Sequence, residues 1–185
     1  MADQAAEGLL SPFLRRRRLR VARPWLQGRV LDVGCGSGAL AAELPPPRYL
    51  GVEIDPLSLQ LARERYPGHR FAGELPPAGE TFDTILSLAV IEHVPDPAGF
   101  LGALAGRLAA PHWARIVIST PHPAADWIHH TGAAIGLFSR HASEEHEQLL
   151  DRRALERLGA QAGLRMVSYR RFLLGANQLA VFASA

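Results

Sequence analysis

Apolar residues along this chain fall into short continuous runs, separated by polar stretches punctuated with glycine and proline. Five runs read as strands: Arg29-Val30-Leu31-Asp32-Val33, Tyr49 to Ile54, His69 to Ala72, Phe82 to Leu88 and Ala114 to Thr120. Each is short, rich in aliphatic residues and bounded by turn residues, the pattern of a strand buried on both faces. Helix signals lie between them. Gly34-Cys35-Gly36-Ser37-Gly38 turns the first strand into a short helix that Pro45-Pro46-Pro47 stops. Asp55-Pro56 and Asp96-Pro97 each offer an N-cap carboxylate followed by a first-turn proline; the first such helix ends near Tyr66-Pro67-Gly68, and the second carries Leu101, Leu104 and Leu108. Asp151 caps a last helix with Ala154, Leu155, Leu158 and Ala162 on one face and Gly163 as its stop. Two final strands, Leu164 to Leu173 and Gln178 to Ser184, are joined by Gly175-Ala176-Asn177, a link short enough for an antiparallel hairpin.

Strands alternating with helices in this way predict an α/β, doubly wound, mostly parallel seven-stranded sheet with an antiparallel C-terminal hairpin. In such sheets ligands bind beyond the carboxyl ends of the strands. Two segments stand outside the alternation: residues 1–27, expected as an N-terminal helical segment, and residues 121–149, expected as a lid insertion. The latter is long for a connection and contains Trp127, Ile128, Ile135, Leu137 and Phe138, together with His122, His129, His130, His141 and His146. With 185 residues, the whole chain (1–185) reads as one domain.

Hydrophobic residues make up 48% and charged residues 21%, which supplies a core and excludes general disorder. The net charge of +2 hides a local excess, because Arg15, Arg16, Arg17, Arg18, Arg20 and Arg23 all lie near the start and leave the remainder mildly acidic. This run admits three readings: a solvated helical face, a membrane-surface contact with acidic lipids, or a nucleic-acid contact. Leu10, Phe13, Leu14 and Val21 share one face of a helical wheel, but Arg17 interrupts it and Pro24 ends the helix. Nucleic acid is the weakest of the three, since no separate RNA-binding module and no second basic patch with interleaved aromatics accompanies the run. Cys35, the lone cysteine, rules out an internal disulfide and fits a reducing compartment. No apolar run is long enough to span a bilayer, and the arginines follow the stretch Leu9 to Leu14 where a signal peptide would have them first. The expected location is cytoplasmic.

The glycines at 34, 36 and 38 permit a tight turn and close approach of a ligand. Read through Ala39, the stretch also satisfies the dinucleotide pattern G-x-G-x-x-G/A, so a nicotinamide-dependent oxidoreductase is the first rival. Asp32 weighs against it, since a carboxylate just before the loop suits an ammonium-bearing ligand and repels a pyrophosphate. Glu53, at the end of the second strand, can accept hydrogen bonds from ribose hydroxyls of either cofactor.

Four stretches in order, Val30 to Gly38, Gly51-Val52-Glu53-Ile54-Asp55, Phe82 to Leu88 and Glu92-His93-Val94, resemble the class I S-adenosylmethionine (SAM)-dependent methyltransferases. The likeness spans nearly the whole chain. SAM carries an ammonium group and no phosphate, in keeping with Asp32. The resemblance implies that Gly34, Cys35, Gly36 and Gly38 hold the methionine part, with Asp32 assisting its ammonium group. It also implies that Glu53 meets the ribose, that Glu74 and Leu75 meet the adenine edge, and that Ser87 and Leu88 line the pocket from below, with Ile54 a further cofactor contact.

Ala89 to Pro97 resembles the ubiquinone-biosynthesis O-methyltransferases and related small-molecule enzymes. A small-molecule or lipid-linked acceptor follows from that likeness, with oxygen as the expected methylated atom. Some of those relatives hold a divalent cation here, but Ala89 stands where their pattern has a carboxylate, so no metal site is expected. Glu92 and His93 are the candidate catalytic residues, with His93 as the base, because imidazole takes protons near neutrality. The alternative is that the pair merely braces the loop. His146, following Glu144-Glu145, is a candidate acceptor contact, while the other lid histidines lack a compact zinc-ligand spacing. A third class, a SAM-fold protein that has lost catalysis and acts as a binding partner, has no need of intact glycines together with Asp32 and Glu53.

Overall fold

The computed structural model describes residues 11–123 and 150–185. Seven strands form one sheet: β1 (Val30–Val33), β2 (Tyr49–Val52), β3 (Arg70–Ala72), β4 (Thr84–Leu88), β5 (Arg115–Pro121), β6 (Leu164–Phe172) and β7 (Asn177–Ser184). Their order is β3-β2-β1-β4-β5-β7-β6. The first five run parallel, with Val30 opposite both Tyr49 and Thr84, and β7 is inserted antiparallel between β5 and β6. The chain winds outward from β1 to β3 and then crosses back to β4. Strand order therefore reverses between β1 and β4, which leaves a crevice at their carboxyl ends.

Successive strand residues face opposite sides, so each buried strand feeds two cores. On one face Leu31, Ile85, Ile116 and Phe182 pack with Leu101 and Leu104 of α3 (Pro97–Ala105) and Leu155 of α4 (Arg152–Gln161). On the other, Val30, Leu86, Val117 and Val181 pack with Val21 of α1 (Ser11–Ala22) and Ala62 of α2 (Pro56–Arg65). Each fully buried leucine, isoleucine or phenylalanine contributes about 1.5–3 kcal/mol relative to exposure.

The carboxylate caps form as expected. Asp55 accepts from the Ser58 N–H, Asp96 from that of Gly99 and Asp151 from that of Ala154, at 2.8, 2.9 and 2.7 Å. Several details differ from the sequence reading. The segment after the glycine loop is a 3-10 turn, Ala39–Glu43, entered through Gly38 in the left-handed region with no side-chain cap. Five residues held before Pro45 do not complete an α-helix. Phe82 lies outside β4 and makes an isolated parallel bridge to Leu108. The hairpin connection is Leu173 to Ala176, because Asn177 already pairs with Phe172, and both Leu173 and Leu174 take positive φ, at 53° and 54°. Along α1 the apolar contacts come from Leu19, Val21 and Ala22, while Phe13 is 51% exposed, so the face drawn through Phe13 does not pack as a unit. Leu10, and residues 124–149 with His146 and the other lid histidines beyond His122, lie outside the described residues.

Candidate functional site

The crevice between β1 and β4 opens into a cavity of about 600 Å³. Its floor is Asp32 from β1 with Leu88 and Ala89 from the end of β4; one wall is the loop from Gly34 to Ser37. Leu57 and Ser58 of α2 and, from α1, Arg15 and Arg18 also line it. Ala89 has φ 60°, a strained backbone for a residue with a Cβ, and such residues concentrate at functional sites.

Hydrogen bonds hold the glycine loop in shape. The N–H groups of Gly34 and Cys35 both donate to the Val52 carbonyl, at 2.8 and 3.1 Å. Gly36 donates to Glu53 Oε2 at 2.8 Å and Asp55 donates to Glu53 Oε1 at 2.9 Å, so one carboxylate ties the loop to the end of β2. Gly34 and Gly36 require glycine for different reasons. At Gly34, with φ 76°, an added Cβ would lie 2.3 Å from Val90 Cγ2; at Gly36, with φ 53°, no atom lies within 4 Å and the space belongs to the cavity. The loop is therefore closed against the protein at one glycine and open toward a ligand at the other.

Asp32 is 5% exposed and accepts a hydrogen bond from the Tyr49 hydroxyl at 2.9 Å. Burial pushes its carboxyl up to about 6, against the pull of the Tyr49 hydrogen bond and with a smaller upward push from the Glu53 charge. A carboxylate so poorly solvated gains from a cation brought into the cavity. Burial likewise pushes the Cys35 thiol up to about 12, with Asp32 and Glu53 adding to the shift.

The remaining sequence candidates are distributed unevenly. Ile54, just past the end of β2, is 86% exposed and does not line the cavity. Ser87 is fully buried with its hydroxyl unpartnered and does not line the cavity, whereas its neighbour Leu88 does. Glu74 is exposed and Leu75 half-buried against the core, both outside the cavity lining. Glu92 and His93 share a 3-10 turn after β4, where Glu92 is buried and His93 exposed, and neither lines the cavity. Burial raises the Glu92 carboxyl above its ordinary range, opposed by its own backbone N–H and by His93 and Arg18. Thr120 stands close to that carboxyl without a hydrogen bond to it.

Arg15 and Arg18 were missed as site residues. Their run looks like a solvated face, yet Arg15 and Arg18 turn to the cavity while Arg16 and Arg20 are exposed. The only hint in the sequence is that Arg15, Arg18 and Leu19 fall three and four apart, on one helical face. No helix among the described residues is long and apolar enough to cross a membrane.

The site fits SAM by its donor set: a buried carboxylate for an ammonium group, an open glycine for close backbone approach, and arginines for a carboxylate. Comparison with known proteins agrees. The ubiquinone biosynthesis O-methyltransferase of Dinoroseobacter shibae is 35% identical over 97 residues, which cover 47% of this chain and 39% of that protein. The chain thus spans about two-fifths of the length of that relative. An S-adenosylmethionine-dependent methyltransferase from Clostridium acetobutylicum superposes with a TM-score of 0.67 at 13% identity, covering 94% of this chain and 90% of that one. Magnesium protoporphyrin IX methyltransferase from Synechocystis, solved with bound S-adenosylhomocysteine (SAH), superposes with a TM-score of 0.65 at 16% identity, covering 94% and 83%. These two structures share the fold, and the family model described as a methyltransferase domain matches residues 6–169. With that match over most of its length, the chain belongs to the methyltransferase domain family, the class I enzymes that use S-adenosylmethionine.

Proposed function

We propose that this chain transfers a methyl group from SAM to an oxygen atom of a small-molecule acceptor. The observation that carries the reading is the cavity at the β1–β4 crevice, where the buried Asp32 carboxylate faces the open side of the glycine loop. Bound there, SAM supplies a sulfonium-activated methyl group. Asp32 balances the ammonium charge, Gly36 admits the ligand to backbone contact, and the exposed Ile54 offers an apolar face to the purine. Glu53 has lone pairs beyond the two that hold Gly36 and Asp55, and these accept ribose hydroxyls. The choice of oxygen and of a small acceptor leans on the O-methyltransferase named among the relatives.

An alcohol or phenol acceptor must lose its proton as the new bond to carbon forms. His93, exposed on the turn after β4, takes that proton in this reading, with Glu92 buried beside it on the same turn. A thermal-shift titration with SAM, SAH, NAD and NADP, followed by mass spectrometry of methylated products from cell extracts, tests the assignment. Ligand at about 100 times its Kd should add about 2.7 kcal/mol. Stabilisation by NAD and not by SAH would overturn the reading, and SAH binding with no methylated product would favour a binding protein. His93→Ala should lower transfer about 100-fold with SAH affinity intact; an unchanged rate would release His93 from the base role.

A further inference from the structure

Tyr49 of β2 is 3% exposed, and a buried phenol hydroxyl needs a hydrogen-bond partner. That partner is Asp32: the hydroxyl donates to its Oδ2 at 2.9 Å, and among the described residues no other hydrogen bond reaches this carboxylate. Strand register brings the two together. Asp32 of β1 stands opposite Gly51, which has no side chain, and Tyr49 lies two positions before Gly51 on the same sheet face. His69 and Phe71 meet the Tyr49 ring edge-to-face, each with its centroid 5.7 Å away, and His69 Nε2 in turn donates to the Leu44 carbonyl at 2.8 Å. The ring is thus held from the side, and its hydroxyl is directed at Asp32. Burial and the Asp32 charge push that hydroxyl above its ordinary range, so it remains a donor. A phenylalanine would pack in the same place, and packing alone does not call for the oxygen. With Oδ2 taken by Tyr49, Oδ1 is left for the cavity that Asp32 lines.

We propose that Tyr49 is a positioning residue for cofactor binding: its hydroxyl pins the Asp32 carboxylate in the orientation that receives the ammonium group of SAM. The proposal rests on the SAM reading of the cavity. Tyr49 does not line that cavity, so it acts through Asp32 and not on the ligand. A binding group performs only when the residues behind it lock its orientation, and here one charge-assisted hydrogen bond does so. The hydroxyl therefore serves the amino-acid end of the cofactor and leaves the adenosine end untouched.

Calorimetric titration of the full chain tests this with two ligands: SAH, and 5′-methylthioadenosine, which keeps the adenosine and the thioether but lacks the ammonium and carboxylate groups. Wild type, Tyr49→Phe, Asp32→Asn and the double variant are compared at pH 8, above the Asp32 carboxyl. Tyr49→Phe keeps the ring with both edge contacts and should melt cooperatively. It should bind SAH about tenfold more weakly, the scale of one hydrogen bond to a charged group, and bind methylthioadenosine as wild type does. In the Asp32→Asn background the same change should cost no further affinity, since the carboxylate it orients is gone. A residue needed only for packing would weaken both ligands alike and would act in both backgrounds. Either result would overturn the proposal, as would undiminished SAH affinity in Tyr49→Phe. Failure of SAH to bind wild type would instead remove the cofactor reading itself.

Discussion

Replacing Asp32 by asparagine should stabilise the protein above neutral pH while weakening its hold on the cofactor. The carboxyl rises from 3.8 to about 6 through burial, a difference of about 2 pKa units. At 1.36 kcal/mol per unit this amounts to about 3 kcal/mol between the two protonation states, taken as an upper limit. Asp32 keeps its proton to higher pH when folded than when unfolded. Its contribution to stability is therefore complete below about pH 4 and is lost as pH rises through about 6. At pH 8 the folded protein carries a charged, dehydrated carboxylate. Asparagine has no charge to desolvate, retains an acceptor for the Tyr49 hydroxyl, and borders the cavity where water can reach its amide. Thermal unfolding of cofactor-free protein should show Asp32→Asn melting higher than wild type at pH 8, by up to about 6–12 °C for a domain of this size. The gap should close by about pH 4. Calorimetry with SAH should show weaker binding, because the attraction to the ammonium group is gone. A variant no more stable than wild type at pH 8, or a gap independent of pH, would refute the reasoning.

Four further outcomes follow from the loop and the caps. Glu53→Ala strands the N–H groups of Gly36 and Asp55, so SAH affinity should fall by about 1–3 kcal/mol in calorimetry while far-UV circular dichroism stays unchanged. Gly34→Ala drives a methyl group into Val90 and should prevent stable folding, read by loss of a cooperative melt. Gly36→Ala meets only open space; it should fold with a penalty of about 1 kcal/mol from its positive φ yet lose SAH binding, because the methyl group fills the cradle. Asp151→Ala removes the bond from Ala154 N–H that caps α4 and should cost about 1 kcal/mol, or about 2–4 °C in Tm, with SAH affinity unchanged.

The strands were legible because burial on both faces leaves near-continuous aliphatic runs, as in Val30-Leu31 and Ile116-Val117-Ile118. Asp55, Asp96 and Asp151 marked the helix starts because a cap is a local interaction, satisfied within three residues. The cofactor loop was legible for the same reason, since its glycines and Asp32 are neighbours in sequence. What depends on distant packing was not. Arg18 meets Asn177, 159 positions away, and nothing in an arginine run distinguishes the members that turn to the cavity from those left in water. Glu92 and His93 are adjacent and polar, yet only the 3-10 turn decides that the first is inside and the second outside. Leu173 read as the end of a strand, and only the pairing of Asn177 with Phe172 forces it into the turn.

The cysteine in the cofactor loop has a practical consequence. Cys35 is the one thiol in the chain; it is buried and its thiol is pushed up to about 12, so at pH 8 only about one molecule in ten thousand carries the reactive thiolate. Alkylation by iodoacetamide must then wait for the loop to lift away from Asp32 and Glu53, the two charges that suppress ionisation along with burial. Labelling kinetics of the untouched protein consequently clock the opening of this loop, and slowing of that clock by SAH would measure how firmly the ligand closes it, with no foreign probe introduced and no competing thiol to remove.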